Sequence, residues 1–222
     1  LGATPHISEA RLRQLAGVEP GQNLFTVDLN EVRRRVAQDP WVRSARVRRE
    51  LPATISVEVE EREAAALLAL EALYLVEPSG AVFKRATAEE ALGHPVITGI
   101  GRDFFLEARE ESAGLLREAL AAHRTYEETA RLPSGERRRP PLGELHVDAI
   151  NGLLLYTQSG TAIRLGRGEP AELQRRLRRL DVVLAALQRG AAGNGPQQAQ
   201  SIYLDNRAHP EHVTVRLNPP RQ

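Results

Sequence analysis

The sequence predicts an α+β protein in two parts. The first is a small unit of two helices on a short β-sheet whose first strand is missing or truncated. The second is a larger mixed, mainly antiparallel β-sheet domain with two helices. Three observations lead there. Two capped helical patterns lie ahead of residue 40. The stretch WVRSARVRRELPATISVEVEE, Trp41 to Glu61, then alternates residue by residue around a Pro-containing turn. From about Glu63 onward the texture changes to short strands and turns, interrupted by two long helical stretches. The expected units are residues 1–62 and 63–222.

In the first unit, Ser8 suits an N-cap, and Ile7 and Leu12 stand at hydrophobic-staple spacing around it. Gly17 supplies the left-handed cap that ends this helix. Asp28 with Glu31 forms a capping box for a second helix, and Val27 with Val32 forms a second staple. That helix stops near Asp39, because Pro40 disfavours helix in the residue before it. In the next strand Ala45 and Val47 point one way, Ser44, Arg46 and Arg48 the other. After Leu51-Pro52-Ala53, Ile55, Val57 and Val59 alternate with Thr54, Ser56, Glu58 and Glu60. An antiparallel hairpin sets an arginine row against a glutamate row, each cross-strand pair contributing about 0.2–1 kcal/mol. Two strands make a thin sheet, so a further edge strand is expected ahead of Leu1.

In the second unit, strands are expected at Leu73–Val76, Ala81–Lys84 and Val96–Ile97. Leu106 to about Glu128 reads as a helix with Leu115, Leu116, Ala119 and Leu120 on one face. Leu132 to Pro141 reads as a polar loop. Asn151-Gly152 between two apolar runs predicts a two-residue type I′ hairpin. Thr161–Leu165 adds a strand, and Glu169-Pro170 opens a helix to about Arg189. A linker at Gly190–Gln200 precedes the last strands, Ser201–Asp205 and His212–Leu217.

Composition limits function. A net charge of +1 over 222 residues argues against a general nucleic-acid binder. With no cysteine there is neither a disulfide framework nor a thiolate metal site. Methionine is absent even at position 1, so the chain reads as a fragment or a processed product, with room for a signal peptide or membrane anchor upstream. No run of about eighteen apolar residues occurs within it.

Candidate chemistry is sparse. Gly99-Ile100-Gly101 lacks the third glycine and the frame of a dinucleotide fingerprint, and reads as a turn. Gly166-Arg167-Gly168 precedes a helix, where anions can bind; a plain strand-to-helix turn is the favoured reading. His209 and His212 have ligand spacing, but no carboxylate–histidine set accompanies them. Ser159-Gly160 has no nucleophile-elbow context. Glu58, Glu60, Glu61 and Glu63 are accounted for mostly by facing arginines, and Arg137-Arg138-Arg139 reads as a solvated basic run. No nucleophile, base and orienting group can be named together, so a non-enzymatic binding or scaffold protein without metal or cofactor is expected.

GQNLFTVDLNEVRRRV, DPWVRSARVRRELPATISVEVEERE and LYLVEPSGAVFK together resemble the FtsQ/DivIB family of bacterial cell-division proteins. Gly21, Asn23, Leu24, Asp28, Pro40, Trp41, Val42, Val47, Arg49, Pro52, Val59, Glu61 and Arg62 match the spacing of that family's POTRA domain. Leu165-Gly166 and the segment Ile202–Arg207 resemble it further on. At Glu63–Ala65 the proline usual in the family is lacking. The resemblance implies a single-pass inner-membrane protein. Its cytoplasmic tail and transmembrane helix would lie upstream of Leu1, with this POTRA and β-domain region on the periplasmic side. It implies a divisome scaffold with no catalytic activity, binding FtsB and FtsL and linking them to septal peptidoglycan synthesis. FtsB adds a strand to the last β-strand in that family. Carried over, the partner-binding residues are Arg207, His212, Val213, Thr214, Val215, Arg216 and Leu217. The POTRA surface, including Arg46, Arg48, Glu58 and Glu60, is a further candidate for other divisome proteins. Three rivals stand beside it: a POTRA-bearing protein of outer-membrane assembly or secretion, a phosphate-binding domain using Gly166–Gly168, and a nucleic-acid binder using Arg33–Arg49.

Overall fold

A computed structural model describes residues 4–132, 134–190, 197–206 and 208–219. The chain forms two compact units, Leu1–Ala64 and Ala65–Gln222.

The first unit runs α1 (Glu9–Ala16), a 3₁₀ turn (Leu24–Thr26), α2 (Leu29–Val36), β1 (Val42–Glu50) and β2 (Thr54–Glu61). The caps fall where the sequence puts them. The Ser8 hydroxyl accepts from the Arg11 N–H, and the Asp28 carboxylate accepts from the N–H groups of Asn30 and Glu31. Ile7, Leu12, Val27 and Val32 are all buried, so both staples are closed. β1 and β2 pair antiparallel with Arg46 across from Glu58 and Val47 across from Val57. The arginine row is less uniform than the alternation suggests. Arg48 stands across from Ser56, Arg43 reaches Glu60 at 3.6 Å, and Arg49 turns away to donate to the carbonyls of Leu24 and Val27. The further strand expected ahead of Leu1 lies outside the described residues.

The entrance to this unit is closed by one carboxylate. His6 stacks on Trp41 with ring centroids 3.7 Å apart. Its backbone N–H and Nδ1 lie 3.0 and 3.1 Å from the two oxygens of Glu61, which also accepts from the Thr4 hydroxyl. Burial alone would push the Glu61 carboxyl up. The bonds from Thr4 and His6 and the nearby imidazole charge outweigh it, holding the group below the usual carboxylate range. A carboxylate held low when folded stabilises the fold above its unfolded pKa and loses that contribution as pH falls through the folded value.

The second unit is a nine-stranded sheet in the order β11-β10-β9-β8-β7-β6-β3-β4-β5. Its strands are β3 (Ala66–Ala69), β4 (Leu73–Val76), β5 (Val82–Arg85), β6 (Val96–Thr98), β7 (Leu142–Asp148), β8 (Gly152–Thr157), β9 (Ala162–Gly166), β10 (Ala199–Tyr203) and β11 (Thr214–Leu217). The pairings β3–β6, β6–β7 and β9–β10 are parallel and the rest antiparallel, so the sheet is mixed and mainly antiparallel. One face carries the core. Leu68, Ile97, Leu145, Leu155, Ile163 and Ile202 meet Leu116, Leu120 and Tyr126 of α4 (Arg109–Glu128) and Leu173, Leu177 and Leu180 of α5 (Pro170–Arg189).

Several local expectations are corrected. β3 was not expected: Ala-Leu-Leu-Ala has no β-branched residue and reads as helix, yet parallel pairing with β6 and burial draw it into the sheet. The single helix expected from Leu106 begins earlier and is broken. A short α3 (Arg102–Glu107) joins α4 through Ala108 at φ −112°, ψ 59°, giving this unit three helices among the described residues. The type I′ turn is not formed, because it needs positive φ at both central residues and Asn151 has none. Asp148 pairs with Gly152 across a three-residue loop. Gly152 takes the left-handed position at φ 80°, and the Asp148 carboxylate accepts the N–H groups of Asn151 and Ile150, which hold its pKa below the usual range. The Gly190–Gln200 linker falls largely on residues 191–196, outside the described residues, and β10 begins two residues earlier than expected.

The largest correction concerns Arg137-Arg138-Arg139, which is not a solvated run. Arg137 makes two 2.9 Å bonds to Glu127. Arg139 is 2% exposed. Its guanidinium donates to both oxygens of Asp181, to the carbonyls of Tyr126 and Leu177 and to the Thr129 hydroxyl. Burial pushes the Tyr126 phenol up, and its hydroxyl donates to the Pro140 carbonyl at 2.6 Å.

Two predictions follow from these contacts. Glu61→Gln lowers stability at neutral pH, and the difference from wild type shrinks as pH falls through the lowered folded pKa of Glu61; urea unfolding followed by Trp41 fluorescence checks this, and a difference independent of pH contradicts it. Asp181→Ala leaves a buried guanidinium uncompensated and costs about 3–5 kcal/mol; chemical denaturation reads the loss, and a change under 1 kcal/mol would place the pair among surface ion pairs.

Candidate functional site

The last strands end the sheet. β11 pairs with β10 in the register Ile202–Val215 and Tyr203–Thr214, with a bulge on the β10 side between Ala199 and Ser201. The other side of β11 carries no strand among the described residues. Val213 and Val215 lean onto the core while Thr214, Arg216 and Leu217 are exposed, which is the alternation read from the sequence.

The backbone direction of each residue can be derived. The Asn218 N–H bonds inward to the Gln198 carbonyl at 2.9 Å. By period-two alternation Arg216 and Thr214 also face β10, so the N–H and C=O of Val215 and Leu217 point out of the sheet. These are the groups an added strand would use.

Beside this edge, on the face away from the helices, lies a cleft of about 620 Å³. Arg164, Tyr203, Thr214 and Arg216 line it from three adjacent strands, and Asn151 closes one end. Arg164 is fixed by Asp205 at 2.8 Å and Asn151 at 2.7 Å, so the β8 turn, β9 and the end of β10 are tied by one side chain. Gly166 makes this possible. Its φ is 74°, and a Cβ there would sit 2.5 Å from the Asp205 Cβ.

Of the residues named from the sequence, Thr214–Leu217 lie on the edge strand and Val213 leads into it. His212 belongs to the preceding turn, its N–H bonded to the His209 carbonyl and its ring 5.1 Å from that of His209. Arg207 lies outside the described residues. Arg164, Tyr203 and Asp205 were missed as site residues. Arg164 and Tyr203 do alternate with Ile163 and Ile202, but only the parallel pairing of β9 and β10 brings them side by side.

Several groups of the rival sites are engaged by the protein's own residues. At Gly166–Gly168 the Arg176 guanidinium donates to the carbonyls of Leu165 and Arg167, and the Glu172 carboxylate sits against Gly168, an unfavourable setting for an anion. In the Arg33–Arg49 region, Arg34 and Arg35 pair with Glu31, Arg43 with Glu60, and Arg49 with carbonyls. No helix among the described residues is long and apolar enough to cross a membrane.

Both units match families of bacterial cell-division proteins. Residues 2–62 match the family described as POTRA domain, FtsQ-type, and residues 66–207 match Cell division protein FtsQ/DivIB, C-terminal. The chain is 41% identical over 215 residues to the cell division protein FtsQ of Anaeromyxobacter sp. (strain K), covering 97% of this chain and 67% of the relative. It is 36% identical to that of Myxococcus fulvus over 96% of this chain and 70% of the relative, and 33% identical to that of Geotalea daltonii over 75% and 59%. The chain belongs to the FtsQ/DivIB family. The C-terminal family match ends at residue 207, ahead of β11.

Gly166→Ala would push Asp205 aside, free Arg164 and cost about 1–3 kcal/mol. Thermal unfolding measures the cost, and a variant as stable as wild type would show that the close approach is not required.

Proposed function

We propose that this chain is the extracytoplasmic part of a non-catalytic divisome scaffold that binds FtsB and FtsL and links them to septal peptidoglycan synthesis. It lies on the periplasmic side of the inner membrane, attached through an upstream transmembrane helix. Its working units divide at residues 62 and 63. It needs no metal or cofactor. FtsB adds a strand to β11 across His212–Leu217, with Arg207 as a further contact residue, and the POTRA surface at Arg46, Arg48, Glu58 and Glu60 serves other divisome proteins.

The observation that carries this reading is the β11 edge, which has no second partner strand among the described residues, with Val213 and Val215 packed on the core and the backbone groups of Val215 and Leu217 turned outward. Magnitudes say what else the partner must use. Two residues offer two donors and two acceptors, and hydrogen bonds of about 1 kcal/mol each give roughly 4 kcal/mol. Micromolar affinity needs about 8 kcal/mol, so side chains entering the cleft of Arg164, Tyr203 and Arg216 must supply the remainder. The partner strand therefore carries an acidic residue placed to meet Arg216.

Val215→Pro tests the geometry directly. It removes an N–H that points outward and leaves the β10 ladder intact. The expected result is at least about a tenfold loss of affinity for a soluble FtsB–FtsL extracellular complex, with the melting temperature of the fragment little changed. Arg216→Glu is expected to weaken the same complex. Unchanged binding by both folded variants would move the site off this strand.

A further inference from the structure

At the opposite end of the nine-stranded sheet, the last strand likewise has no second partner strand among the described residues. β5 is the far edge strand, and between it and α3 lies a cleft of about 640 Å³. Tyr74, Phe83, Phe105 and Leu106 form its apolar walls. Arg85, Arg102 and Arg109 stand on its rim. The apolar character extends outward, since Leu106 is 46% exposed and its neighbour Phe104 42%. Four of the chain's eight Phe and Tyr residues are thus drawn to α3 or to this cleft.

The rim is unevenly neutralised. Arg102 has an exposed pair with Glu71 at 3.4 Å, whereas Arg85 and Arg109 have no acidic partner among the described residues. Lys84, which also lines the cleft, is held by Glu90. An apolar trough between cations is complementary to an acidic segment with large apolar side chains. We propose that this cleft is a second docking site, separate from β11, for an acidic protein segment that inserts one or two aromatic or branched aliphatic residues between β5 and α3.

The mode of docking differs from strand addition. Register slips between Leu75 and Val76, with Phe83 as the extra residue on β5. A bulge interrupts the row of outward N–H and C=O groups that an added strand would need. The same bulge places Phe83 among the cleft walls. Affinity therefore comes from buried anchors and the arginine rim. A concave trough also fits a protein segment better than the flat surface of a lipid bilayer.

The test is a random-peptide display selection on the fragment, followed by fluorescence polarisation with the enriched peptides. The expected peptides are acidic with one or two large apolar residues, and bind more weakly as salt rises. The paired variant Arg85→Glu with Arg109→Glu should weaken them at least about tenfold. Phe83→Ala should weaken them as well, whereas Val215→Pro on the far edge should leave them unchanged. Circular dichroism melting confirms that each variant is folded; the rim arginines are exposed, so the charge reversals keep the fold. The proposal is overturned if no acidic–apolar class is enriched, or if the enriched peptides bind the rim variant as tightly as wild type. It is also overturned if the fragment binds no peptide but co-sediments with vesicles of phosphatidylglycerol and phosphatidylethanolamine in an Arg85- and Arg109-dependent manner.

Discussion

All five N–H donors of Arg139 are used: two on Asp181, two on the carbonyls of Tyr126 and Leu177, and one on Thr129. These partners come from α4, from the turn that follows it and from α5, so one guanidinium fixes both long helices against each other and against the approach to β7. Its 5.3 Å distance from the Tyr126 ring adds a cation–π contact. A charge this deep in the protein is tolerated only because its countercharge and every donor are satisfied. With both helices held, one face of the sheet is sealed. Val213 and Val215 then have a fixed core to lean on, and β11 keeps its outward groups in place for a partner.

The two sheet edges solve the same physical problem differently. An open edge invites pairing with any exposed strand. At β5 the Phe83 bulge breaks the row of hydrogen-bonding groups and the exposed Arg85 adds charge. At β11 the bulge lies on β10, so the edge strand stays regular over its four residues. Shortness limits nonspecific pairing there, and Arg216 adds a charge requirement. Selectivity at such an edge comes from the adjoining cleft, because backbone bonds alone do not distinguish sequences.

The first unit was legible because its signals are local. Ser8 and Asp28 cap where they stand, the staples close on neighbours five residues away, and the hairpin register agrees with the alternation. The second unit hides its decisive contacts in long-range pairing. Ala66–Ala69 carries helix-forming residues and becomes strand only because β6 and β4 receive it on either side. Arg139 looks like part of a solvated basic run until Asp181, forty-two residues on, is brought beside it. In the same way β11 could be read as a terminal strand, but the cleft next to it depends on Arg164 and Tyr203 becoming adjacent through a parallel pairing across α5. The Asn-Gly signal failed for a simpler reason. The carboxylate of Asp148 captures the N–H groups of Ile150 and Asn151 and imposes a longer turn.

The central claim is that β11 is a regular edge whose Val215 and Leu217 backbone groups are free to receive a strand. Residue-resolved amide hydrogen exchange tests it, recorded with and without the FtsB–FtsL extracellular complex. In the free protein the amides of Val215 and Leu217 should exchange quickly while those of Thr214, Arg216 and Asn218 are protected, and the complex should slow the first two. Binding that leaves the Val215 and Leu217 amides as fast as before would contradict the account.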